Sequence, residues 1–199
     1  MTQPQPAFTR ADPDARRHSL IAATARVLAE KGAAGVSVRT ICAEAGVSPG
    51  LLRHYFAGVS DAIAEAYRWT GRTIGDALDA AVAGAGPEPR ARVLAYVTAS
   101  FRPPIASPDL LGAYVAFWGL SRSDPAVAAV RADIYGDFRG GLEALLRAWR
   151  PGLADVRLPA IGLTALIDGL WLELSLGDAP FTPEEAEVLA SGWLDGIPA

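Results

Sequence analysis

An all-α fold is what this 199-residue chain predicts, from three observations. Apolar residues recur at spacings of three and four over long stretches, the period of a helix face. No segment alternates apolar and polar residues as a half-buried strand would. The interruptions fall at helix start and stop signals: Pro103-Pro104, Ser107-Pro108, Asp124-Pro125, Pro151-Gly152 and Thr182-Pro183. About nine helices follow, with no internal repeat.

Residues 1–13, with Pro4, Pro6 and Pro13, read as a disordered arm. The first helix runs from about Asp14 to Lys31, with Leu20, Ile21, Thr24, Val27 and Leu28 on one face, and Gly32 ends it. Two short helices follow within residues 37–56. Ser37 N-caps one and Ser48 the other, with Pro49 at the first helical position. Gly46 stands just past the end of the first, where a left-handed residue is wanted. Val38, Ile41, Cys42, Ala45, Val47, Leu51, Leu52 and Phe56 can pack the pair together.

A long helix begins at Ser60-Asp61 and runs to about Ala83, its inward face being Ile63, Tyr67, Thr70, Ile74 and Leu78. After the loop 84–89, a helix spans about Arg90 to Arg102 and Pro103-Pro104 stops it. Ser107-Pro108 starts the next, to about Arg122. Asp124-Pro125 starts another to about Arg150, with a spine of Val127, Val130, Ile134, Phe138, Leu142, Leu145 and Trp149. The last two helices cover about 158–177 and 183–197. The first is apolar nearly all round except at Asp168 and Glu173, as a helix buried on two sides would be. The second opens with a capping box, Thr182-Pro-Glu-Glu185, and has an apolar face of Ala186, Leu189, Ala190, Trp193, Leu194 and Ile197.

The layout of residues 36–56 is that of a helix-turn-helix, whose second helix enters the DNA major groove. Ser48, Gly50 and Arg53 are the candidates for base edges, with Pro49 beside them at the start of the groove-facing helix. Arg53 has the reach for a bidentate contact to guanine, and Gly50 permits close approach. Ser37, Thr40, His54 and Tyr55 are candidates for phosphate, and Arg39 suits either role.

Composition agrees with a folded, DNA-directed chain. Hydrophobic residues make up 51% and charged residues 20%, which excludes a disordered protein. The net charge of −4 is unevenly spread: residues 1–72 carry +3 and the remainder −7, so positive charge gathers at the suspected reading head. Charges interrupt the apolar runs, so no transmembrane helix is expected, and the N-terminus lacks the apolar core of a signal peptide. Cys42 is the single cysteine, which excludes an internal disulfide and a multi-cysteine zinc site. A cytoplasmic address and the absence of any cofactor or metal are expected.

These residues resemble the TetR family of one-component transcriptional regulators. The resemblance runs from Arg17-His18-Ser19-Leu20 through Leu28-Ala29-Glu30-Lys31-Gly32 and Val36-Ser-Val-Arg-Thr-Ile41 to Leu52-Arg-His-Tyr-Phe56. Tyr114-Val-Ala-Phe-Trp118 and Ala165-Leu-Ile-Asp-Gly-Leu-Trp171 resemble the BetI-like branch of that family, whose namesake answers to choline. One departure stands out. The family pattern has a lysine shortly after His-Tyr-Phe that contacts phosphate, whereas Ala57-Gly58-Val59-Ser60 follows here, so Ser60 or backbone amides would have to replace it.

The resemblance implies a helix-turn-helix domain over 14–60 and an effector-binding and dimerisation domain over 61–199. It gathers Phe101, Tyr114, Phe117, Trp118, Phe138 and Trp171 around an effector cavity, with Asp133, Asp137, Asp168 and Glu173 nearby in sequence. Aromatic faces beside a buried carboxylate suit a cation, such as a quaternary ammonium or polyamine. It also implies that the last two helices form a four-helix bundle with a two-fold mate, through Leu170, Leu174, Leu189, Trp193 and Leu194. Asp168 has two readings, a polar pin at that interface or a pocket counter-ion. The implied protein is a homodimer that binds a pseudo-palindromic double-stranded DNA operator and leaves it on binding effector.

Two rival classes fit the sequence less well. An enzyme is disfavoured because the only histidines are His18 and His54, Cys42 lies on an apolar helix side, and no phosphate loop, metal spacing or nucleophile motif is present. A helical ligand-binding or adaptor protein without operator binding is supported only by the missing lysine near Val59.

Overall fold

The helix signals act as read, because each supplies an acceptor or a break where a helix end needs one. The computed structural model describes residues 13–197. It contains α1 (Pro13–Lys31), α2 (Val38–Ala45), α3 (Pro49–Tyr55), α4 (Val59–Gly84), α5 (Pro89–Ala99), α6 (Pro108–Leu120), α7 (Pro125–Trp149), α8 (Arg157–Leu176) and α9 (Pro183–Asp195). A short 3-10 turn at Ala33–Gly35, unanticipated, joins α1 to α2. No strand occurs among the described residues.

Several caps hold as expected. Ser37 Oγ accepts from the Thr40 amide at 3.1 Å while Thr40 Oγ1 accepts from the Ser37 amide at 2.8 Å, a reciprocal box. Thr182 and Glu185 form another, at 3.3 and 2.8 Å. Asp124 Oδ1 accepts from the amides of Ala126 and Val127. Gly46 takes φ 66°, left-handed, and closes α2.

Some boundaries differ. Pro13 opens α1, so the arm expected over 1–13 otherwise lies outside the described residues. Gly58, not Ser60, precedes α4. Glu88 caps α5, which ends at Ala99, before Pro103-Pro104 could stop it. The α7 stripe is also wider than the predicted spine: Tyr135 and Leu146 are buried, while Phe138, Leu145 and Trp149 are half-buried.

One continuous core runs from Leu20 to Ile197. In it α1 packs on α2, α4 and α6, and α4 continues onto α5 and α7. α8 lies against α6, α7 and α9, and α9 returns to α5. The predicted inward face of α4, Ile63 to Leu78, is buried throughout. By length and composition α8 could cross a bilayer, contrary to expectation, since only Asp168 and Glu173 break it internally. Here it is a packed layer of the domain.

Glycines set the closest helix approach. A Cβ on Gly71 of α4 would lie 2.7 Å from Ile134 Cδ1 and 2.8 Å from Ile134 Cγ1 on α7. One turn on, a Cβ on Gly75 would lie 3.9 Å from Phe138 Cε1, an ordinary contact. Opposite outcomes are therefore expected from one chemical change. Gly71→Ala destabilises by about 1–2 kcal/mol through overpacking. Gly75→Ala is neutral or stabilising by up to about 1 kcal/mol, the helix-propensity gain. Urea unfolding of both variants beside the wild type checks this, and two effects of the same sign would contradict it.

Candidate functional site

The reading head is assembled from α1, α2 and α3 around Leu20, Ile41, Leu52 and Phe56, which are almost wholly buried. That packing leaves Arg39, Ser48, Pro49, Gly50, Arg53 and His54 exposed on one surface. Ser48 N-caps α3 by position without a side-chain bond, so its hydroxyl is free for an outside partner. A Cβ on Gly50 would meet only Ser48 Oγ, at 3.9 Å, so the start of α3 is open to close approach. Among the described residues Arg39 and Arg53 make no ion pair, whereas Arg26 is paired to Glu44 at 2.6 Å. Tyr55 is half-buried against the core, with His54 edge-on to it at 4.9 Å.

Three phosphate candidates are otherwise engaged. The hydroxyls of Ser37 and Thr40 are held in the α2 cap, with Thr40 Oγ1 also 2.9 Å from the Gly35 carbonyl. The first-turn amides of Val38 and Arg39 are what that corner leaves free. Ser60 Oγ, the substitute for the missing lysine, donates to Asp124 Oδ2 at 2.5 Å. It ties the start of α4 to the start of α7 instead.

In the larger unit a chamber of about 40 Å³ is enclosed by α4 to α8. Four of the predicted residues line it: Tyr114, Phe138, Asp168 and Trp171. Phe101 and Phe117 do not. Phe101 is buried in the turn after α5, and Phe117 stacks on Tyr67 at 4.3 Å. Trp118 stands one layer behind, donating Nε1–H to Tyr135 Oη at 2.9 Å. Tyr135 in turn donates to Asp168 Oδ2 at 2.9 Å. Asp168 is thus a chamber wall residue. Trp171 is fixed by an Nε1–H bond to the Ser100 carbonyl at 2.7 Å.

Tyr135 and Tyr96 are the aromatic lining residues that the sequence pattern did not single out. Tyr135 sits one position off the α7 spine, and only a wider apolar stripe would have included it. Arg131 and Arg139 cover the Tyr135 ring at 4.5 and 5.4 Å. The buried hydroxyls of Tyr67 and Tyr114 interact with one another, but neither makes a well-formed hydrogen bond among the described residues.

The electrostatics of the chamber are dominated by desolvation. Burial pushes Asp168 up to about 6, against the Tyr135 hydrogen bond and the pull of Arg131 and Arg139. Burial likewise raises Tyr114 and Tyr135 well above the usual phenol range.

The outer face of α8 and α9 is apolar. Leu189 is 52% exposed and Val188 71%, and Leu158, Ile161, Leu172, Leu176 and Trp193 are exposed as well. Leu174 is half-buried. Leu170 and Leu194 are a correction: they are 8% and 0% exposed and belong to the protomer's own core. α9 turns Leu194 inward on the same stripe as Ala186 and Ala190.

A carboxyl whose folded-state pKa is raised costs stability wherever the folded protein must ionise it. That cost is absent below about pH 4 and complete above about pH 6. Asp168→Asn keeps an acceptor for Tyr135 and removes the buried charge. It is expected to stabilise the protein by about 1–3 kcal/mol at pH 7.5, with the gain fading toward pH 4. Denaturant titrations at both pH values test this; a destabilised Asn variant at pH 7.5 contradicts it.

With the geometry in place, comparison with known proteins is direct. Residues 20–66 match the family model for bacterial regulatory proteins of the tetR family, and residues 89–199 match the BetI-type transcriptional repressor C-terminal model. The HTH-type transcriptional regulator BetI of Burkholderia cenocepacia is 34% identical over 181 residues, spanning 90% of this chain and 92% of the relative. A transcriptional regulator of Pseudomonas aeruginosa superposes with a TM-score of 0.86 at 40% identity, covering 96% of this chain and 94% of that one. A regulator from Saccharomonospora viridis, solved in complex with choline, shares the fold with a TM-score of 0.78 at 21% identity, covering 92% and 97%. The chain belongs to the TetR family of DNA-binding transcriptional regulators, with a C-terminal domain of the BetI repressor type.

Proposed function

We propose that this regulator is a homodimeric, cytoplasmic repressor that leaves its operator when a small organic cation, a quaternary ammonium compound or a polyamine, occupies the chamber around Asp168. The observation that carries the effector reading is the Asp168 carboxylate itself. It is held by Tyr135 at 2.9 Å among the rings of Tyr114, Phe138 and Trp171, at a cost in desolvation that a bound cation would relieve. The BetI name of the curated relatives and the choline in the Saccharomonospora viridis regulator point to the same ligand chemistry.

α3 is the groove helix of this reading, with Ser48, Pro49, Gly50 and Arg53 at the bases and His54, Tyr55, Arg39 and the first-turn amides of α2 at the backbone. The exposed stripe of Leu172, Leu176, Leu189 and Trp193 supplies the two-fold contact, with Leu174 at its edge. A chamber of about 40 Å³ holds little more than one water. An effector must therefore spread α4, α7 and α8, and binding selects a conformer with a different spacing between the two reading helices.

Two experiments test this. Titration of the DNA upstream of the chain's own gene is expected to give tight, salt-sensitive binding that Arg53→Ala weakens about 10- to 100-fold. Equal loss on unrelated DNA would make Arg53 a phosphate contact only. In sedimentation, Leu172→Asp combined with Leu189→Asp is expected to yield a folded monomer with operator affinity lost. A dimer that persists would place the interface elsewhere.

A further inference from the structure

Outside the chamber, between α4 and α7, lies a solvent-open cleft of about 510 Å³. It shares Leu78, Tyr96 and Phe138 with the chamber, so one layer of side chains separates the two spaces. The cleft is lined by Asp76 and Asp79 from α4 and by Asp133 and Asp137 from α7. Spacings of three and four stack each pair on one helix face. All four are exposed, and none is in an ion pair among the described residues. Of the two arginines in the same cleft, Arg68 is already bound to Glu65 at 2.7 Å, leaving Arg72 as the opposing charge.

The dividing layer is thin because its backbones are bare. Phe138 lies over Gly75, and Tyr96 over Gly141, where an added Cβ would sit 3.9 and 4.0 Å from the respective rings. At the inner end, Tyr114 is 2% exposed, lines the chamber, and has a hydroxyl that interacts with the neighbouring Tyr67 phenol but makes no well-formed hydrogen bond among the described residues. A primary ammonium carries three N–H donors that this oxygen and Asp168 can accept; a quaternary ammonium carries none.

We propose that cleft and chamber are one binding site with two cation stations, Asp168 within and the Asp133/Asp137 face without, and that its ligand is a linear diamine or polyamine. One ammonium sits between Asp168 and Tyr114 Oη. The methylene chain passes Phe138, and the far ammonium lies among the carboxylates of the cleft. Choline, a monocation, engages the inner station alone. This rests on the cationic reading of the chamber given above and narrows it.

Calorimetric titration of the full-length protein with spermidine, putrescine and choline decides the matter. Wild type is expected to bind spermidine at least about tenfold more tightly than choline. Asp133→Asn with Asp137→Asn, both exposed and outside the core, weakens spermidine about tenfold and choline less than about twofold. The difference shrinks in about 0.5 M salt. Tyr114→Phe reduces the preference for primary amines, and Asp168→Asn weakens all three ligands. If choline binds through Asp168 but spermidine binds no better, or the double Asn variant affects both alike, the two-station site is wrong and the cationic chamber stands. If none of the three binds the folded wild type, both readings fall.

Discussion

The structure depends on the burial of one face of α4 along its whole length. That helix starts beside the reading head, where it packs on α1 with Ala62 and Ile63 buried in the continuous core. It ends in the body, where Ile74 and Leu78 line the chamber. Gly71, at the middle, lets Ile134 of α7 lie against its backbone. A rigid rod with one continuous apolar face cannot shift at one end alone. Movement of the wall formed by Ile74 and Leu78 would therefore be carried toward α1, on which the other part of α4 packs. The Ser60–Asp124 bond and the contact of Glu65 with Arg17 fasten the upper part of the same rod to α7 and α1.

The chamber is the opposite kind of feature, a local loss of stability in a well-packed protein. A carboxylate enclosed by rings, and tyrosine hydroxyls without well-formed hydrogen bonds, would be replaced by apolar groups if folding were the only demand. Trp118, Tyr135 and Asp168 instead form a fixed chain of hydrogen bonds that aims the carboxylate into the chamber. Pre-setting that geometry would lower the ordering cost of the proposed cation's arrival.

The helix-turn-helix was legible because its signals are local. Ser37, Gly46 and Pro49 act on their own backbone within a turn, and the apolar spacing of Ile41, Leu52 and Phe56 leaves few ways to close the pair. The same locality explains the small errors. Ser60 looked like a cap because Ser-Asp is a cap signal, but the chain had already turned at Gly58, and the serine was free to bind Asp124. Thr40 looked like a phosphate donor until the folded turn engaged its hydroxyl with Ser37 and Gly35.

By itself the sequence determined the helices, their order, the reading head and the presence of aromatic and acidic residues on the helices that surround the chamber. These follow from periodicity and capping, which involve neighbours a few residues apart. Tertiary structure decided which of those residues meet. Tyr114, Phe138, Asp168 and Trp171 reach the chamber, while Phe101 and Phe117 are core. Leu189 and Trp193 face outward, while Leu170 and Leu194 face in. On helices apolar around most of their circumference, the pattern does not say which side faces a neighbouring helix. That choice is made by the rotation at which each helix packs, and it is set by contacts from distant parts of the chain.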